Sequence, residues 1–326
     1  IRDRIWYVDA ISREATSVTN DLNDHRVLSL SDDGRSLVSI TGDVTSAIWV
    51  GPSDGSEPPR RRSWTRADGI WGICFATDER LVYTTNDRGI WELWTMTPDG
   101  SQRAPLLGVG AGEVILDVAV GGSGEVFFLV RNRARVEIRV AAADGSSPRV
   151  LVSNVVSDKI DASRDGTLVY RADLSGEQRL FRLDPGGSEP VPVTDFEAIA
   201  PTIDPSGQHV AFMYADDADR FRAGVVSVAD GRMTWNAEIA TPSYFSQLSL
   251  RDEGLYLSTM PGDRANVWLM PLDGTPPRQL THFEDQRLWD FAVSADGTRL
   301  AVARGRRDRD AVLMKNFRGS MPGEGP

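Results

Sequence analysis

Cysteine, lysine and histidine are scarce in this sequence, and each shortage argues against a class of site. Cys74 is the only cysteine, which excludes an internal disulfide bond. It lies in the apolar run 71–75, where we expect a buried structural thiol rather than a nucleophile. The three histidines, His25, His209 and His282, lack the spacing of metal ligands. A histidine-based metal site and a disulfide framework are therefore not expected.

Motifs of the common enzyme classes are also missing. No Gly-x-Ser-x-Gly nucleophile elbow occurs, and the nearest fragment, residues 121–125, lacks the last glycine. Neither a glycine-rich phosphate loop nor an EF-hand loop is present. No run of about 18 apolar residues occurs, so no transmembrane helix is predicted. We expect no catalytic residues, and we predict that the protein is not an enzyme.

Acidic residues outnumber basic residues. The formal net charge is −11, with 47 Asp and Glu against 36 Lys and Arg, and only two of the basic residues are lysines. Broad nucleic-acid binding needs a basic face that displaces counterions from phosphates, so this composition excludes it. The short basic run at residues 60–62 is interpreted as the solvated edge of an outer strand.

What the sequence does contain is an internal repeat of 40 to 46 residues. Each repeat has a short apolar stretch, a tight turn, a second apolar stretch, a third stretch that carries an aromatic residue, and usually an Asp-Gly turn. Asp-Gly supplies the positive φ values of a hairpin turn, and no segment has helical periodicity. The pattern predicts an all-β fold. The repeats begin near Val27, Ile70, Val114, Lys159, Ile199, Phe245 and Leu288.

Two side-chain columns run through the repeats at fixed spacing. An aromatic residue stands six residues before the glycine of the second turn at Trp49, Trp94, Phe181 and Trp268. A threonine falls seven residues after that glycine at Thr194 and Thr281, and Trp6 and Thr19 keep the same total separation. A repeated position is best explained by repeated packing, so we interpret the aromatic column as core between neighbouring sheets.

Short four-stranded sheets repeated in this way are typical of a ring, because closure leaves only short and protected edges. We predict a seven-bladed β-propeller, with six or eight blades as alternatives, whose closing blade is shared between the two chain ends. Both ends offer a third strand for that blade, residues 5–8 and residues 311–315. We expect residues 311–315 to occupy it and residues 16–19 to form its outermost strand.

One propeller domain is expected over residues 1–318, with a disordered tail at 319–326. Residues 267–274, followed by 279–281, resemble the WD-repeat-like propeller repeats of the TolB family, as do residues 289–301. Residues 4–24 and 312–318 resemble the C-terminal regions of bacterial membrane-linked Ser/Thr kinases and winged-helix regulators. The resemblance implies a non-catalytic sensor or scaffold module of a larger bacterial signalling or envelope protein, on the extracytoplasmic side of the membrane.

Polar residues interrupt the apolar first stretches at Asp117, Asp161, Gln247 and Asp290. First strands of a propeller line its central channel, so we predict that these four residues and Trp289 form a polar, partly acidic pocket at the channel mouth. The pocket is expected to bind a peptide or a small ligand. We also expect the loops before these stretches to contribute, with His25, Arg26, Arg66, Asp68, Asp158, Lys159, Tyr244 and Arg287.

The leading hypothesis is a non-catalytic module that binds a ligand or a protein. We expect a protein or peptide partner, no nucleic acid, no direct membrane insertion, a monomeric domain and no cofactor. The alternative is a metal-dependent hydrolase or lactonase-type propeller, in which Asp117, Asp161 and Asp290 hold a divalent cation such as calcium. A third hypothesis is a scaffold with an exposed aromatic patch around Trp64, Trp71 or Trp235.

Overall fold

The computed structural model describes residues 4–20, 24–133, 135–173, 176, 178–239, 247–259, 265–315 and 317. Within these residues the chain forms 29 β-strands and no helix, which confirms the predicted all-β fold. The chain divides into two compact units, and the single domain expected over residues 1–318 stays a prediction. The terminal unit comprises Ile1–Thr45 and Arg306–Pro326, and the central unit comprises Ser46–Gly305. The tail expected at 319–326 lies outside the described residues.

The terminal unit contains the first four strands of the chain. They are β1 (Trp6–Val8), β2 (Ala15–Ser17), β3 (Asp24–Leu30) and β4 (Ser36–Val44). β1 and β2 form a separate antiparallel hairpin, and β3 pairs antiparallel with β4.

The central unit opens with β5 (Ala47–Pro52) and β6 (Arg60–Arg61) and continues with five four-stranded antiparallel sheets, blades I to V. Blade I contains β7 (Ile73–Phe75), β8 (Leu81–Thr85), β9 (Glu92–Met96) and β10 (Ala104–Gly108). Blade II contains β11 (Glu113–Val120), β12 (Val126–Asn132), β13 (Arg135–Ala141) and β14 (Arg149–Ser153). Blade III contains β15 (Val155–Ala162), β16 (Leu168–Asp173), β17 (Gln178–Leu183) and β18 (Val191–Pro192). Blade IV contains β19 (Ile199–Ile203), β20 (His209–Ala215), β21 (Phe221–Ser227) and β22 (Met233–Glu238). Blade V contains β23 (Leu248–Arg251), β24 (Gly254–Thr259), β25 (Asn266–Met270) and β26 (Arg278–Gln279).

Blade VI joins distant parts of the sequence. It consists of β27 (Arg287–Val293) and β28 (Arg299–Gly305), followed in the sheet by β5 and β6. β28 and β5 are antiparallel, with Ala301 opposite Val50 and Ala303 opposite Ile48. The last strand, β29 (Arg307–Lys315), pairs with β4 and completes a three-stranded sheet, β29-β4-β3, in the terminal unit.

The six blades of the central unit close into a ring. The first strands contact one another in the cyclic order β7, β11, β15, β19, β23, β27 and back to β7. The predicted propeller is therefore confirmed, and its first strands surround a central channel as expected.

The number of blades and the closing strands differ from the prediction. The ring has six four-stranded blades, one of the alternatives, and seven blades are not confirmed. The expectation that residues 311–315 and 16–19 complete the closing blade is wrong, because β5 and β6 take these places. The physical reason lies in β5, which buries Ile48 and Val50 and is followed by an outer strand, whereas β29 is mostly exposed.

Apolar side chains fill the layers between neighbouring blades. One core cluster combines Phe127 and Leu129 of blade II with Ile160, Tyr170 and Phe181 of blade III. Burial of such faces stabilises the fold by about 25 cal/mol per Å² of apolar surface. Each layer therefore holds two adjacent blades together.

The two sequence columns have distinct structural roles. Phe181 belongs to the core between blades II and III, and Trp49 and Trp94 pack against other core clusters, as predicted for the aromatic column. The threonine column ties the end of a blade back to its third strand. Thr281 Oγ1 accepts a hydrogen bond from the Val267 amide at 2.9 Å, and Thr194 Oγ1 accepts one from the Leu180 amide at 3.2 Å.

Candidate functional site

One position recurs in or just before the first strand of each blade. It lies seven residues before the residue of positive φ in the following turn. Strand pairing is irregular at or beside this position in four blades, and such bulges redirect side chains. Because the first strands form a closed circle, these positions surround the channel, and we call them the channel ring. Its members in blades I to VI are Gly72, Asp117, Lys159, Ala200, Gln247 and Asp290.

Lys159 lies between two carboxylates of the channel ring. Its Nζ is 3.3 Å from Oδ1 of Asp117 in the adjacent blade II and 3.1 Å from Oδ2 of Asp290 in blade VI. Blades III and VI are opposite each other in a ring of six, so the ammonium group reaches across the channel. The exposed fractions of the three side chains are only 20% for Lys159, 6% for Asp117 and 4% for Asp290. The channel thus contains a buried ion triad.

The remaining oxygen atoms of the triad also have donors. Asp117 Oδ2 accepts the Ile160 amide at 2.8 Å, and Asp290 Oδ1 accepts the Phe291 amide at 2.6 Å. Gly72 leaves the room that the Asp117 carboxylate uses, since a Cβ at position 72 would lie 3.0 Å from Oδ1. Each oxygen of both carboxylates therefore has a donor from the protein.

Asp161 links blade III to blade IV. Its Oδ1 accepts the Ala162 amide at 2.9 Å. Its Oδ2 accepts the Thr202 hydroxyl at 2.6 Å and the Ile203 amide at 3.0 Å. Like the triad acids, this carboxylate is bound on both oxygens.

Gln247 links blade V to blade VI. Its Nε2 donates to the Trp289 carbonyl at 3.2 Å, and its Oε1 accepts the Phe291 amide at 3.3 Å. The Trp289 side chain is itself buried, with an exposed fraction of 3%, and the Arg287 guanidinium lies 5.4 Å from its ring centre. Trp289 thus contributes its backbone to the site through Gln247.

Burial dominates the electrostatics of the channel. Burial, together with the nearby charge of Asp290, raises the pKa of Asp117 to about 7 although Lys159 opposes the shift. Burial likewise raises the pKa values of Asp161 and Asp290. Burial alone would lower the pKa of Lys159, but the charges of Asp117 and Asp290 outweigh it and raise the pKa. At neutral pH the ammonium group is therefore charged.

Cys74 also faces this region. Burial and the charges of Asp117, Asp161 and Asp290 raise the pKa of its thiol well above the ordinary value. Since the thiolate is the nucleophilic form, the environment favours an inert thiol. Cys74 is only partly buried, whereas a buried thiol was expected, and its structural role stays a prediction.

A cavity of about 410 Å³ occupies the channel above the triad. Parts of all six first strands line it, and it extends to the turns that follow these strands. Arg164 stands at this end, in the first turn of blade III, and its Nη2 donates to the Ala295 carbonyl of blade VI at 3.3 Å. Arg251, from blade V, donates to the carbonyls of Val293 and Ser294. These two arginines form part of the cavity wall at this end.

The structure places four of the five predicted site residues on one cavity. Asp117, Asp161, Gln247 and Asp290 line it, whereas Trp289 does not. Of the eight residues expected from the loops before the first strands, Tyr244 and the side chain of Arg26 lie outside what the structure describes, and among the others only Lys159 lines the cavity. The cavity opens toward the opposite ends of the strands. Binding by these residues stays a prediction.

Arg164 and Arg251 were missed by the sequence reasoning. Both stand at the start of a first turn, Arg164 two residues before Gly166 and Arg251 three residues before Gly254. The turn glycines were available as markers of this position. A search among turn residues, rather than in the loops before the strands, would have found both arginines.

The described residues bear on two further hypotheses, a metal site and an exposed aromatic patch. Across the described residues, no group of three or more His, Cys, Asp or Glu side chains is arranged to hold a metal ion. Trp64 is exposed to 70% and has the Arg61 guanidinium 5.9 Å from its ring centre. Trp71 and Trp235 are both partly buried.

No helix in the described part of the chain is long and apolar enough to cross a membrane. No protein-family model matches the sequence, and a comparison with curated proteins finds no match. Solved structures do share the fold. TolB from Acinetobacter baumannii is 13% identical with a TM-score of 0.58, over 83% of this chain and 68% of that chain.

Two further solved structures extend the comparison. A structure of a nidogen/laminin complex is 15% identical with a TM-score of 0.56, over 79% of this chain and 98% of that chain. Oligogalacturonate lyase from Vibrio parahaemolyticus is 10% identical with a TM-score of 0.51, over 93% of this chain and 97% of that chain. At such identities the likeness concerns the fold.

The closed ring of antiparallel blades and these similarities define the class of fold. The chain has a TolB-like β-propeller fold, as its sequence repeats suggested. The resemblance to the C-terminal regions of kinases and winged-helix regulators stays a prediction.

Proposed function

We propose that this chain is a non-catalytic binding module of a larger bacterial signalling or envelope protein, and that the channel cavity receives part of a protein or peptide partner. The observation that carries the proposal is that protein groups already bind the three carboxylates that line the cavity. Every oxygen of Asp117, Asp161 and Asp290 accepts a hydrogen bond or an ion pair from the protein. Carboxylates that are held by protein groups in this way give the pocket its shape and its polar lining.

The metal-dependent hydrolase alternative places different demands on the same residues. A divalent cation needs several oxygen ligands at short distance, and a general base needs an acceptor that is open to substrate. Between Asp117 and Asp290 stands the ammonium group of Lys159. The geometry therefore favours the binding module over the enzyme.

One solved structure that shares this fold supports the proposal of a protein partner, because it was determined as a nidogen/laminin complex. A protein partner fits a cavity whose mouth is formed by exposed turns from several blades.

The test is a peptide-display selection against the chain, followed by two matched tryptophan variants. Ala295→Trp places a large side chain on an exposed turn that lines the cavity, and Ser188→Trp places one on the exposed second turn of blade III, which lines neither the cavity nor the groove at its rim. We expect Ala295→Trp to weaken binding of the selected peptides by at least about tenfold and Ser188→Trp to leave it unchanged. Both variants should melt within a few degrees of the wild type.

Two results would contradict the proposal. Equal binding by both tryptophan variants would place the binding surface elsewhere on the propeller. A thermal shift with Ca²⁺ or Mn²⁺ that a chelator reverses, and that disappears in Asp290→Asn, would favour the metal-dependent enzyme instead.

A further inference from the structure

Negative charge exceeds positive charge around the channel cavity. Asp117, Asp161 and Asp290 line the cavity itself. Asp165, Asp252, Glu253 and Asp296 line a groove at its rim, formed by the first turns of blades III to VI. The lining has three cations, Lys159, Arg164 and Arg251, against these seven acidic side chains. Asp117 is only partly ionised at neutral pH, because burial raises its pKa to about 7, and the acidic groups still outnumber the cations without it. A cleft lined mostly by one sign of charge concentrates ligands of the opposite sign.

Independently of this charge balance, the walls of the cavity already hold cations. Lys159 is held by two carboxylates. Arg251 donates from Nε and Nη2 to the Val293 carbonyl and from Nη1 to the Leu250 carbonyl, the latter at 2.6 Å. The guanidinium of Arg164 is bound by the Ala295 carbonyl. Each of these three cationic side chains therefore binds acceptors from another blade of the ring.

Arg164 differs from the other two cations in how firmly it is bound. Lys159 and Arg251 are partly buried in the channel wall, whereas Arg164 is exposed. Among the described residues its guanidinium has one hydrogen bond, which is 3.3 Å long, and no ion pair with a carboxylate. A guanidinium has five N–H donors, so this contact uses little of its capacity. Arg164 is therefore the cation that another cation can replace.

We propose that the ligand presents a basic side chain, a guanidinium or a primary ammonium group of a peptide or protein, which displaces Arg164 from the Ala295 carbonyl. This inference rests on the proposed function of the cavity as a partner-binding site. Asp252 and Glu253 are exposed on the turn of blade V beside Arg164 and provide charged acceptors for the incoming group. Arg164 acts as an internal competitor that occupies the mouth until the partner arrives.

The experiment uses the full chain and three defined probes, measured by calorimetry at low and at physiological salt. One probe is a capped Gly-Ser-Arg-Ser-Gly peptide, and the second is the same peptide with citrulline, which keeps the shape of arginine and removes its charge. Spermidine is the third and represents a free polyamine. We expect the arginine peptide to bind about tenfold more tightly than the citrulline peptide, because charge-assisted hydrogen bonds are stronger than neutral ones.

Arg164→Gln gives the sharpest prediction, because the direction of the change in affinity shows whether Arg164 competes with the ligand or anchors it. If Arg164 competes with the ligand, its removal should tighten binding of the arginine peptide by about threefold or more. Asp252→Asn combined with Glu253→Gln should weaken that binding by about fivefold. Ser188→Trp, on an exposed turn away from the cavity and the groove, serves as the control that alters neither charge nor cavity.

Several outcomes would overturn the inference and leave the proposed function intact. In one outcome, Arg164→Gln weakens binding of the arginine peptide. In another, display-selected peptides of acidic sequence bind the chain, and Ala295→Trp abolishes their binding. Either result would make Arg164 an anchor for an anionic ligand. In a further outcome, spermidine binds and the arginine peptide does not, which would identify a free polyamine, not a peptide, as the ligand that supplies the cationic group. If no probe and no displayed peptide bound the chain at all, the proposed function itself would fail.

Discussion

A single lysine balances two carboxylates that come from two other blades. Lys159 is one of two lysines in the chain, and its Nζ lies within 3.3 Å of both Asp117 and Asp290. Buried ion groups stabilise a fold only while each charge keeps its partner, and loss of one partner leaves an uncompensated charge. The triad therefore makes the stability of the channel depend on one side chain and on pH.

We expect Lys159→Met to destabilise the protein by about 3–5 kcal/mol at pH 8, since two buried carboxylates would lose their cation. The loss should be smaller at pH 5. Burial raises the folded-state pKa of both acids, to about 7 for Asp117, so the folded state binds more protons than the unfolded state between about pH 4 and 7. The unfolding free energy accordingly falls as pH rises through this window. Urea unfolding at pH 5 and pH 8 measures both effects.

The control for this prediction is Lys159→Met combined with Asp117→Asn and Asp290→Asn, which removes the titrating acids. This variant should lose the additional pH dependence. An equal loss of stability at pH 5 and pH 8 in Lys159→Met would show that the triad acids do not control it.

The sequence identified the acids of the channel but not their relation to Lys159. Asp117, Asp161 and Asp290 stood out because they interrupt apolar stretches. Lys159 was assigned only to the loops, although it occupies the same position as Asp117 and Asp290 relative to the turn glycine. What the sequence could not provide was the distance across the ring, because blades III and VI approach each other only after closure.

At the scale of the element, a hydroxyl group joins the end of a blade to its third strand. Thr281 is buried, and its Oγ1 accepts the Val267 amide at 2.9 Å and donates to Asn266 Oδ1 at 2.9 Å. Outer strands such as β26 are only two residues long, so few ladder bonds hold them. The hydroxyl therefore supplies a bond that the short strand cannot.

Thr281→Val keeps the shape of the side chain and leaves the Val267 amide without its acceptor. We expect a loss of about 1–3 kcal/mol in unfolding free energy, the cost of a buried unsatisfied donor. Thr281→Ser should retain most of the stability. Thr275→Val, on the exposed turn of the same blade, should change stability by no more than about 0.5 kcal/mol. Equal effects at positions 275 and 281, measured by urea unfolding, would refute a role for this hydroxyl.

For the whole molecule, sequence patterns predicted the blades and their strands but not the number of blades in the ring. Strand pattern, Asp-Gly turns and the aromatic and threonine columns are local, and the structure agrees with each of them. Closure of the ring cannot be predicted from local patterns, because β4 and β28 are each followed by a strand that could be the third strand of a blade. The competition between β5 and β29 depends on burial and on the outer strand β6, which only the assembled sheet reveals.

The six-bladed ring makes a prediction about truncation that a seven-bladed ring does not. Residues 46–305 contain all six blades, including β5 and β6. We expect this fragment to be monomeric by gel filtration and to unfold cooperatively in urea. Residues 64–305 lack β5 and β6, which leaves blade VI with two strands and exposes the partners of Ile48 and Val50.

The shorter fragment should therefore aggregate or unfold without cooperativity, since an open strand edge and uncovered apolar surface would remain beside β28. If the ring had seven blades, residues 46–305 would lack the first two strands of one blade and the last strands of another, and both fragments would fail alike. A difference between two fragments that vary by only 18 residues at one end thus depends on which strands close the ring.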